Sequence, residues 1–149
     1  GKGEAHGDEA LKAGDTKLEE MCKNTEARLQ MIMSREESTI RNAEQARKDG
    51  GWFGRFKPWL TLSDPYQLEI DVARQKVSIA RMRLEKLQSA KTISDPQQRV
   101  EAVAEALKTG VRTIATLNKV DLNDEKWRVE QEAITVARET AMLSVVSPN

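Results

Sequence analysis

Ser63 to Gln88 reads SDPYQLEIDVARQKVSIARMRLEKLQ, and its punctuation and spacing decide the fold. Asp64 stands where an N-cap belongs. Pro65 follows at the first helical position, where a missing N–H costs nothing. Tyr66, Ile70, Ala73, Val77, Ala80, Leu84 and Leu87 then return at steps of four and three, which is one face of a helix over 65–91. A second apolar set, Leu68, Val72, Ile79 and Met82, falls on another face. A helix apolar on two sides asks for neighbours on two sides.

Downstream, Ser94-Asp95-Pro96 repeats the capping solution. The residues after the two Ser-Asp-Pro stretches do not align further, so they are two similar caps and not an internal repeat. Val100, Val103, Leu107, Val111 (or Gly110), Ile114 and Leu117 predict a helix over 96–118. The connection from the preceding helix is short, which favours antiparallel neighbours. A last helix over 124–146 is expected to start at Asn123 or Asp124, with acidic residues at its positive end. Trp127, Ile134, Ala137 and Ala141 share a face there, widened by Val129, Ala133, Val136, Thr140 and Leu143. Trp127 is expected in the core or at a helix contact.

Upstream, Leu18, Cys22, Thr25, Leu29, Ile32, Ile40 and Ala43 predict a helix over 16–49, capped by Asp15 or started at Thr16. Met21, Met31 and Met33 broaden its apolar face, and Glu36 interrupts it, where packing should weaken. Lys48-Asp49-Gly50-Gly51 ends it with glycine beyond a cation. Residues 1–14, rich in glycine and charge, read as disordered or loosely helical, a tail or the remnant of a trimmed, longer chain. The expected fold is all-α and a single helical domain over 15–149. It is either an antiparallel four-helix bundle or an extended coiled-coil hairpin with an overhanging first helix.

The chemistry of this composition is narrow. His6 is the only histidine and Cys22 the only cysteine. General-base catalysis and most zinc sites lean on those residue types, so no enzyme, metal site or cofactor is expected. Cys22 lies in an apolar stripe and reads as a buried structural thiol. The adjacent pairs Glu19-Glu20 and Glu36-Glu37 do not face each other on a helix and read as solvated surface. Arg81, Arg83, Glu85 and Lys86 read as an exposed, salt-laced helix face. Lys+Arg and Asp+Glu both number 24, so the basic excess typical of nucleic-acid binders is missing. No apolar run approaches the ~20 residues that span a bilayer. One cysteine allows no internal disulfide, which suits a cytoplasmic or other reducing compartment.

The linker 51–63 is anomalous. It holds Trp52, Phe53, Phe56 and Trp59, two of three tryptophans and both phenylalanines, with Gly54 and Pro58 against a regular helix. In one reading these rings plug an end of the bundle. In the other, Trp52, Phe53, Arg55, Phe56, Lys57, Trp59 and Leu60 form a docking element, because Trp and Arg are enriched at binding hot spots. The functional expectation is therefore a non-enzymatic interaction or scaffold domain that binds a protein partner or a second copy of itself. The alternative is a peripheral membrane module that contacts anionic lipid through the same residues.

Overall fold

The computed structural model describes the backbone of residues 2–50 and 64–145, and the side chains of 12–50 and 64–140. The described backbone forms five helices: α1 (Lys2–Asp49), α2 (Pro65–Ala90), α3 (Pro96–Lys108), α4 (Val111–Leu117) and α5 (Leu122–Val145). There is no strand among the described residues, and the chain is all-α.

Local chemistry explains the helix ends. The Asp64 carboxylate accepts from the backbone N–H of Tyr66 at 3.0 Å and of Gln67 at 3.1 Å. Asp95 does the same for Gln98 N–H at 3.0 Å. Each caps donors that the first helical turn leaves orphaned.

Four expectations need correction. α1 begins at Lys2, upstream of the expected start at Asp15 or Thr16, and continues through the stretch read as disordered or loosely helical. Once a helix exists, each added residue gains a backbone bond at little cost, and Ala5, Ala10, Leu11 and Ala13 are strong formers. The helix expected over 96–118 divides at Thr109 and Gly110, where Gly110 takes the left-handed conformation at φ 70°. That conformation costs a residue with a Cβ roughly 1–2 kcal/mol, and glycine avoids the cost. The last helix starts at Leu122, because Asp121 caps it. Its carboxylate accepts from Asn123 N–H at 2.9 Å and Asp124 N–H at 3.2 Å. Trp127 is 67% exposed, not core.

α5 shows why. Its buried positions are Glu125, Val129, Ala133, Val136 and Thr140, at steps of four and three. Trp127 lies two residues from Glu125 and from Val129, about 200° around a helix of 3.6 residues per turn. The one broad face expected to hold both Trp127 and Val129 is narrower than that: the set with Val129, Ala133 and Val136 turned inward and left Trp127 outside it.

The molecule has two compact units. The first comprises residues 1–28 and 82–149. Its core gathers Leu18 and Cys22 from α1, Leu87 and Ala90 from α2, Val103, Ala106 and Leu107 from α3, and Val129 and Val136 from α5. Met21, Val100 and Val111 pack against this cluster. Around it run the pairs Lys91–Glu26 at 2.8 Å, Lys108–Glu130 at 3.0 Å, Arg28–Glu132 and Arg99–Asp15.

The second unit comprises residues 29–81. Leu29 and Ala43 of α1, and Ile70, Ala73, Val77, Ile79 and Ala80 of α2, are its buried apolar side chains. Glu36 is also buried, at 7% exposure, where weakened packing was expected. Its carboxylate has Arg35 Nε at 3.6 Å. Along α1, Cys22, Leu29, Glu36 and Ala43 are all buried and fall seven residues apart. Seven residues is the period of a helix seam, and Glu36 places a polar side chain in that series.

Candidate functional site

The docking residues named from sequence, Trp52, Phe53, Arg55, Phe56, Lys57, Trp59 and Leu60, lie outside the described residues. The residues that bracket them are described. Arg47, in the last turn of α1, meets Asp64 at 3.0 Å and donates to the Gln67 amide oxygen at 3.1 Å. Asp64 is at the same time the cap of α2, so one carboxylate orders two helix ends. The Arg47 Nε is buried and has no hydrogen-bond partner among the described residues.

Cys22 is 2% exposed. Burial pushes its thiol pKa up, against a smaller lowering by Lys91. A thiol held protonated is a poor nucleophile. Beside it lies a cavity of about 250 Å³, lined by Asp15, Leu18, Glu19, Cys22, Lys91 and Arg99. Both cations there are engaged. The Glu26 hydrogen bond raises the Lys91 pKa, and Arg99 bonds Asp15 and the Ile93 carbonyl. Among the described residues no group of three or more His, Cys, Asp or Glu side chains is placed to hold a metal ion.

A polar cluster escaped the sequence reading. Arg83, expected on an exposed salt-laced face, is partly buried, and its Nε donates to the Thr109 carbonyl at 2.7 Å. It thereby satisfies an orphan carbonyl at the end of α3, where the helix dipole favours a cation. Burial depresses the Arg83 pKa, and the neighbouring Arg128 depresses it further. Its Nη2 is buried with no hydrogen-bond partner among the described residues. Arg128 bonds Glu125 at 2.6 Å, and that bond holds the Glu125 carboxyl below the usual range. Reading this from sequence would have required knowing that Gly110 breaks the helix, because only the break supplies the carbonyl.

The surface carries large apolar side chains in the open. On α2 the first stripe is covered at Ile70, Ala73, Val77, Ala80 and Leu87. Of the second stripe, Ile79 is covered, whereas Leu68 is 67% exposed and Met82 41%. Met31, expected to broaden the packed face of α1, is exposed as well. No helix among the described residues is long and apolar enough to cross a membrane. Compared with family models, with curated proteins and with solved structures, the chain matches none.

Proposed function

We propose that the chain is a non-enzymatic interaction or scaffold domain that assembles through lengthwise, antiparallel helix packing, with residues 52–60 as a docking element. The observation that carries this reading is the second stripe of α2, where the apolar side chains of Leu68 and Met82 are exposed while Ile79 of the same stripe is buried. Trp127 on α5 adds an exposed residue of the type that dominates binding hot spots. Such side chains gain about 25 cal/mol per Å² when a second surface covers them. The partner is a second copy or another protein that presents an apolar helix face.

Light scattering after size exclusion, over a concentration series, tests the assembly. The expected mass exceeds that of one chain and falls back in the Leu68→Ser/Met82→Ser variant. The Trp52→Ala/Trp59→Ala variant tests the docking element and should weaken the same association. A chain that is monomeric throughout removes self-assembly from the reading. Sedimentation of the chain with anionic vesicles at low salt, lost in that tryptophan variant, would move the reading to a membrane surface.

A further inference from the structure

We draw no further inference here: the strongest candidate, the open groove between the end of α2 and α3 that is floored by Ala90 and Ala106 and rimmed by Glu85 and Glu105, carries nothing, because nothing in the structure shows what covers it.

Discussion

The two units make helical cores in different ways. Unit 1–28 with 82–149 draws one apolar cluster from four helices and surrounds it with ion pairs between distant segments. Unit 29–81 has only parts of α1 and α2 as described helix, and it buries a glutamate among small and branched side chains. A core fed from many helices encloses large residues such as Leu87 on all sides. The unit 29–81 encloses Ile70 as fully, and both units leave large apolar side chains in the open, Trp127 and Met82 in one and Leu68 and Met31 in the other.

The largest effect should come from the enclosed core. Leu87 is 1% exposed, and Leu87→Ala should cost about 2–5 kcal/mol, through lost burial plus the cavity left behind. Leu68→Ala, on the same helix, should stay within about 0.5 kcal/mol in the monomer. Urea unfolding followed by circular dichroism measures both. Equal losses would mean that the two leucines share one environment, and the contrast between covered and open faces would collapse.

Glu36 sharpens the comparison from the other side. A buried carboxylate gives up hydration that Arg35, itself largely exposed, only partly replaces. Glu36→Leu should therefore stabilise the chain by roughly 1–3 kcal/mol, seen as a higher urea midpoint. Apolar seams also pair promiscuously, so the same variant should show stronger self-association by light scattering. A lower midpoint would show that the glutamate has a partner that the helix seam requires.

The next effect lies at the break between α3 and α4. Gly110→Ala places a Cβ at φ 70° and should cost about 1–2 kcal/mol by thermal unfolding. Lys119 sits at φ 56°, with Val120 N–H bonded to Ala115 O and Lys119 N–H to Thr116 O. That is a Schellman ending without its usual glycine. Lys119→Gly should move stability the opposite way, by about 0.5 kcal/mol, because glycine relieves the steric cost but loses more entropy on folding. Two changes of the same sign would contradict the left-handed assignment at one of these sites.

The sequence revealed what local bonds encode. Asp64 and Asp95 cap within three residues, so their chemistry is written next to them. The start of α5 was harder, because Asp121, Asn123 and Asp124 are all able caps and only geometry chooses among them. Trp127 was misread because the expected face was too broad, and periodicity does not say which part of it turns inward. The cluster at Arg83 was hidden for a different reason. Its acceptor, Thr109 O, is 26 residues away, and its burial depends on the turn at Gly110. For the docking segment, composition alone singled out the residues, and no local bond pattern specifies what their rings rest against.

The smallest effect concerns pH, and it tests whether the Arg128–Glu125 bond is formed in solution. The folded-state pKa of Glu125 is lowered, first by the Arg128 hydrogen bond and against a smaller rise from burial. A lowered carboxyl pKa means that the unfolded chain binds the proton more readily. The stabilisation is then complete above the unfolded value, about 4.3 for glutamate, and is lost as pH falls through the folded value. Glu125→Gln should lower stability at neutral pH and flatten the acid limb of the stability curve below about pH 4.5. Arg128→Gln should flatten the same limb while leaving the carboxylate in place. Urea midpoints across an acid pH series separate the cases, and an acid limb that stays as steep in both variants would place its origin in other carboxylates.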